Sequence, residues 1–393
     1  MALISNIALN IFLFMKNYQV AVVGSGPSGA SAAFHLAKAG IKTVILEKEI
    51  LPRYKVCGGG FVYRGRKNMP FDVSEVVDIE FNRIDVYMGE DLHFITEREN
   101  PIVSLVMRDT FDQLIVNKAK DLGVEIIEDC KVKSLNKVDG LVEIETTQGL
   151  IKTQFVIAAD GVYSQVAKMA GWKEDTRTLI PALEYEIEVN EADFERLSKE
   201  IRFDIDAIPA GYGWCFPKKN HLSIGVGAIL KDDKKIKEYC ADYIKFLGIE
   251  EILSIEKHGY QIPVTPRLDG FVKDNVFLIG DAAGFADPLT AEGISNAILS
   301  GKLAAEAIAQ SNGDEEKAAK IYSDIIEDTL MPELLTSMKL AKVFYGSKMV
   351  RKFLLKNYGQ HFSEAMTDIF MGERTYPKDI NKKIKEKLKG LVF

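Results

Sequence analysis

The spacing of apolar and polar positions changes period several times along the chain, and each change marks an element. Residues 20–23 form an apolar, β-branched run that ends at Gly24, and over 28–39 small apolar residues recur at helical spacing until Gly40 stops them. A second apolar run over 41–46 ends in the acid Glu47. This order predicts a β-α-β unit. Pro52 and the three glycines after Cys57 predict a loop over 51–60. Residues 79–106 then alternate with period two around a turn at Gly89, predicting strands that leave the first unit. Helical period returns over 108–122, followed by short strands at 124–127, 130–138, 141–146 and 155–159 and a helix beginning near Ser164. Alternating runs such as 183–189 and 222–229, with a helical insert near Lys234 to Phe246, predict an antiparallel sheet of a second domain. Residues 275–281 read as one more buried strand, 295–310 as a helix, and the chain from Glu315 onward as mostly helical.

The expected fold is therefore α/β, with a Rossmann-like nucleotide domain, an inserted antiparallel sheet domain and a helical C-terminal region. Residues 15–75, 101–178 and 263–312 are assigned to the first, 76–100 and 179–262 to the second, and 313–393 to the third. Composition adds exclusions. The net charge of −7 argues against a nucleic-acid partner. Cys57, Cys130, Cys215 and Cys240 lack metal-type spacing, so neither a metal site nor a disulfide framework is expected, and a cytoplasmic location fits best. Residues 1–14 are apolar and uncharged, a poor signal peptide too short to span a bilayer. Met15 is the natural functional start, the other reading being a weak membrane-touching segment. At the other end, lysines alternate with Ile384, Leu388, Leu391 and Phe393. That segment is read either as a solvated terminus or as a peripheral contact with the anionic cytoplasmic face of a membrane.

Within the β-α-β unit, Gly24, Gly26 and Gly29 form G-x-G-x-x-G in the context the motif needs. Gly24 permits the tight turn, Gly26 lets backbone approach a pyrophosphate, and Gly29 lets helix pack on sheet, with the helix N-terminus facing the phosphates. Glu47 can accept from a ribose hydroxyl. Dinucleotide binding follows. With three further motifs, namely Arg108 opening a helix, Ala159-Asp160-Gly161 with Ser164, and Gly280-Asp281-Ala-Ala-Gly284, the chain resembles the flavoprotein hydroxylase superfamily with its glutathione-reductase type of FAD domain. Arg108 can place a guanidinium on phosphate or near the flavin, and Asp281 can accept from a ribityl hydroxyl. Gly293 and Ile294 can present backbone N–H groups to the flavin O2. Arg108 and Asp160 also admit a plain reading as surface ion-pair partners.

Within that superfamily the chain is most similar to the geranylgeranyl reductase family, through Cys57-Gly58-Gly59-Gly60, the pattern Y-x-W-x-F-P at Tyr212 to Pro217, and the stretch from Gly280 to Ile294. One departure is Ala291, where a glycine is common. The resemblance implies FAD contacts from Ser28, Glu47, Cys57, Gly58, Gly60, Arg108, Val132, Asp281, Gly293 and Ile294. Gly24, Gly26, Gly29, Asp160 and Gly161 join them as cofactor-binding residues. It also implies saturation of prenyl C=C bonds by hydride from flavin N5 plus a proton. Tyr212, Trp214 and Phe216 are the expected substrate-binding aromatics, with ordinary core as their plain reading. Cys57 is read either as a proton relay or gate against the flavin, or as a small hydrophobe beneath the ring. Quinone-tail reduction, flavin monooxygenase or halogenase chemistry and non-redox prenyl cyclisation are the rivals. Without a second dinucleotide motif, the reductant is either NAD(P)H, transiently docked, or reduced ferredoxin.

Overall fold

The computed structural model describes residues 16–228 and 235–377. Met15 and the residues before it, Ile229, Lys234 and the terminal 382–393 segment lie outside the described residues. The glycine motif sits in an eight-stranded sheet. At its centre, Lys16–Val23 pairs in parallel with Gly149–Ala158 on one side and Thr43–Leu46 on the other. Val276–Leu278 and Glu125–Ile127 extend the parallel set outward. Val20, Ala21, Val22, Val44 and Ile45 are all fully buried, so these strands read as unbroken apolar runs, as strands covered on both faces must. The hairpin Val132–Val138 and Leu141–Thr146 adds antiparallel strands along Gly149–Ala158.

A seven-stranded sheet forms the second body, in the order Ile252–Pro263, Leu179–Val189, Leu222–Ala228, Gly211–Pro217, Ile201–Ile205, Arg83–Met88, Leu92–Glu97. Its last hairpin comes from far earlier in the chain and docks by a parallel pairing, Ile84 opposite Ile201. Val77–Phe81, assigned by sequence to this domain, pairs instead with Val103–Val106 in a separate three-stranded sheet, Phe81 opposite Val103. The cause is local: Ile102 N–H bonds to Phe81 O at 2.7 Å and turns the chain back on its own strand.

Two long C-terminal helices, Glu315–Gly346 and Lys348–Met371, join the bodies. Asp314 caps the first by accepting from Lys317 N–H, and Ser347 caps the second by accepting from Val350 N–H. The first helix buries Tyr322, Ile326 and Leu330 in the core under the parallel sheet, and the Tyr322 hydroxyl donates to Leu278 O at 2.8 Å. Further along, Ala341 and Phe344 pack with Leu355 and Ile369 against Met88 and Ile205 of the antiparallel sheet. No helix among the described residues is long and apolar enough to cross a membrane.

Candidate functional site

The cofactor half is built on Gly24–Gly29. Gly24 has φ +101°, and a Cβ there would stand 2.4 Å from Ala159 O, so only glycine fits between the two strands. Pro27 opens the helix Pro27–Lys38, which has no side-chain cap and no acid in its first turn, so its orphan N–H groups face the loop unopposed. Two guanidiniums converge on the loop: a Cβ on Gly26 would lie 3.8 Å from Arg53 Nη2 and 3.9 Å from Arg108 Nη2. Buried Asp112 holds both. It accepts from Arg108 Nε and Nη2 at 2.8 and 2.9 Å and lies 3.1 Å from Arg53 Nη1. Arg108 is thus ion-paired, as its plain reading held, but largely covered beside the glycine loop rather than on the open surface.

Glu47, also buried, accepts from Ser25 N–H and Oγ at 2.9 and 2.5 Å and from Glu49 N–H at 3.0 Å. A carboxylate takes about four hydrogen bonds, so room remains for one from a ribose hydroxyl. Cys130 N–H donates to Glu47 O at 2.8 Å, which puts the strand containing Val132 beside it, with the Val132 side chain in the core. Asp160 lies next to Gly24, but its carboxylate accepts from Ser164 Oγ and Val166 N–H and caps the helix Gln165–Met169. Burial raises its pKa. Gly161, at φ +80°, turns the chain between the strand and that helix.

On the other side of the site, Ser28 is packed under Gly280: a Cβ on Gly280 would stand 2.7 Å from Ser28 Oγ. Asp281 follows in the short helix Gly280–Ala283, and Gly293 caps the helix Ile294–Ser311, where the Glu292 carboxylate accepts from Ser295 N–H at 2.8 Å. Asp281 Oδ1 lies 3.8 Å from the Cβ position of Gly293, so the two meet at this helix N-terminus. The loop between them hangs on Asp287, whose buried Oδ1 accepts from Leu289 N–H, Thr290 N–H, Ser337 Oγ and Tyr376 OH. Ala291 takes φ +57°, so the chain keeps the left-handed turn that a glycine would favour.

Cys57 is the one cysteine of the four that is not buried. Its Sγ accepts from Gly59 N–H at 3.4 Å and sits close enough to Arg108 to raise the guanidinium's pKa, whose strongest supporting charge is Asp112. Lys55, over the Tyr260 ring at 3.5 Å, is lowered to about 8 by burial and by Arg108. Sequence reasoning missed Arg53, Lys55 and Asp112. The first two stand only a few residues before Cys57 in a loop of ordinary composition, and Asp112 one helical turn after Arg108 is their one sequence signal.

A second, apolar half lies beyond this loop. Tyr212, Trp214 and Phe216 share one face of Gly211–Pro217, with successive ring centroids 6.2 and 6.3 Å apart. Trp214 and Phe216 pack on the flavin-side loop: a Cβ on Gly58 would lie 3.0 Å from Trp214 Nε1 and 3.2 Å from Phe216, and Phe216 also borders Gly60. Only Tyr212 of the three lines an apolar cavity of about 80 Å³, together with Ile84, Ile205, Leu289, Phe344 and Met366. Its hydroxyl donates to Thr290 O at 2.6 Å, joining the cavity to the Asp287 loop. The C-terminal helices supply one wall, a role their sequence did not reveal. A larger open cleft of about 490 Å³, lined by His35, Lys38, Lys67 and Lys302, opens at the far end of the glycine-loop helix, away from these residues.

These features fit FAD: a glycine loop under two cations, an acid at the end of the second strand, and a second helix N-terminus across the site. A family model described as FAD dependent oxidoreductase matches residues 110–310, and one described as pyridine nucleotide-disulphide oxidoreductase matches 21–180. The chloroplastic geranylgeranyl diphosphate reductase of Arabidopsis thaliana is 28% identical, over 92% of this chain and 82% of its own. A digeranylgeranylglycerophospholipid reductase of Methanococcoides burtonii is 29% identical, over 84% of each chain. Among solved structures, a geranylgeranyl bacteriochlorophyll reductase-like protein of Thermoplasma acidophilum superposes with TM-score 0.79 at 23% identity, over 96% of this chain and all of its own, which supports the fold. The chain belongs to the FAD-dependent oxidoreductases and is a homologue of the geranylgeranyl reductases that its motifs resemble.

Proposed function

We propose that the protein saturates C=C bonds in the prenyl chains of isoprenoid lipids. The observation that carries this reading is the apolar cavity between the antiparallel sheet and the C-terminal helices, with its aromatic row leading to the Cys57–Gly60 loop. A prenyl chain offers nothing to hydrogen-bond, so its site must be narrow, dry and apolar. Here Tyr212 and Tyr345 turn their hydroxyls away onto Thr290 O and Leu289 O and leave their rings to the cavity. Phe203, Phe344 and Phe370 add further rings to the wall. Reduced FAD, when bound, supplies the hydride that one alkene carbon takes. The other carbon needs a proton, and this reading assigns it to Cys57, a partly accessible thiol beside Arg108. The names of the two reductase relatives support the same substrate class.

The test is mass spectrometry of geranylgeranyl diphosphate and of an unsaturated archaeal-type ether lipid after anaerobic incubation with dithionite-reduced protein. A gain of about two mass units per double bond is expected from the balance of one hydride and one proton. No gain on either lipid, with flavin bound and reduced, would overturn the reading for these substrates and turn attention to quinone tails. Anaerobic bleaching of flavin absorbance by NADPH or by reduced ferredoxin identifies the donor.

A further inference from the structure

Lys218 stands just after the aromatic motif and is fully buried. Its backbone N–H bonds to His221 O at 2.8 Å and closes the hairpin, while its ammonium reaches across to the Cys57–Gly60 loop. Nζ donates to Gly58 O at 2.8 Å and to Val106 O at 2.9 Å. Gly59, between Cys57 and the small sheet, has φ +68°, and a Cβ there would stand 2.0 Å from Val106 O and 2.4 Å from Nζ. The loop is folded around the ammonium. Two buried acids on Leu179–Val189, Glu184 and Glu186, accompany it. Ser223 Oγ donates to Glu184 at 3.0 Å, and His221 Nε2 lies 3.0 Å from Glu186. Burial and the neighbouring Glu186 push Glu184 up to about 8. Glu186 is held below the usual range, His221 and Lys218 outweighing its own burial. Burial lowers the pKa of Lys218, and the charges of Glu186 and Glu184 oppose that shift.

We propose that Lys218 is a positioning residue that fixes the Gly58–Gly59 backbone and through it Cys57. The loop facing the cofactor thereby takes its shape from the domain facing the lipid. The kinetic part of this inference rests on the function proposed above, and the loop geometry does not.

Lys218→Met alone strands a buried carboxylate, which endangers the fold, so the charge-balanced pair Lys218→Met/Glu186→Gln is tested beside it. The readout is the iodoacetamide labelling rate of Cys57 in the FAD-loaded protein, followed by peptide mass spectrometry. Cys130, Cys215 and Cys240 are buried and report on global folding in the same sample. With the clamp removed, Cys57 is expected to label about tenfold faster while the other three stay protected. Prenyl reduction is expected to lose about tenfold or more in kcat at little-changed KM, as a misplaced group at the reacting centre would cause. A folded double variant whose Cys57 labels at the wild-type rate overturns the proposal. Should wild-type protein reduce no prenyl substrate, the functional reading fails while the labelling comparison still decides the clamp.

Discussion

Around Gly26 the site is made of backbone and cations, and around Tyr212 it is made of rings. The first region brings Arg53, Arg108 and a helix N-terminus onto one loop, held by Asp112 and Glu47. It suits a charged, rigid ligand that is gripped by many hydrogen bonds. The second turns each of its tyrosine hydroxyls onto backbone and shows mostly apolar surface to the cavity, with Thr290, Ser363 and Thr367 at its wall. It suits a chain that can be recognised by shape alone. Tolerance follows from the difference: a region that depends on backbone approach fails at one added methyl, whereas a region of packed rings changes by degrees.

The sharpest break of that comparison is Gly24→Ala. With φ +101° and a Cβ 2.4 Å from Ala159 O, the change is expected to cost about 3 kcal/mol or more and to leave purified protein without FAD, read from its flavin absorbance and melting temperature. Met366→Trp tests the other region. It fills the cavity and is expected to raise KM for a prenyl substrate about tenfold while FAD content stays at the wild-type level.

A smaller effect is expected from Glu184→Gln. The folded-state pKa of Glu184 is raised from 4.5 to about 8, so its contribution is full below pH 4.5 and is lost as pH rises toward 8. Relative to wild type, the variant is expected to gain melting temperature between pH 5 and pH 8, seen as a flatter pH profile. A parallel profile would place the titration elsewhere. The smallest change is Ala291→Gly, which relieves a left-handed alanine and is offset by a more flexible unfolded chain. A net gain of about 0.5–1 kcal/mol in denaturant unfolding is expected, with no change in cavity affinity.

Much of the cofactor region was legible because its residues sit close in sequence and its chemistry is tied to spacing. Gly24, Gly26, Gly29 and Glu47 fall within one β-α-β unit, and the structure places them around one loop. Arg108 was found because it opens a helix, yet its partner Arg53 was not, since nothing in a proline-containing loop tells an arginine that turns inward from one that turns to solvent. The aromatic motif stood out in the sequence as Tyr212, Trp214 and Phe216, but not which of the three lines the cavity. Trp214 and Phe216 go to the loop because Gly58 leaves them room, a fact that belongs to the packing of two domains. Asp160 was read as a cofactor residue, and its carboxylate accepts from Ser164 Oγ and Val166 N–H at the start of a helix that begins five residues later.

By itself the sequence determined the parallel sheet, the dinucleotide motif and the family resemblance, because backbone sterics and short-range connectivity dictate those features within a few dozen residues. Only the tertiary structure decided that Ile84, Ile205, Tyr212 and Met366 enclose one cavity and that Lys218 crosses to Gly58. Those contacts join segments far apart in the chain, and their free energy depends on which apolar faces and buried charges meet after the domains pack, a property that no local pattern records.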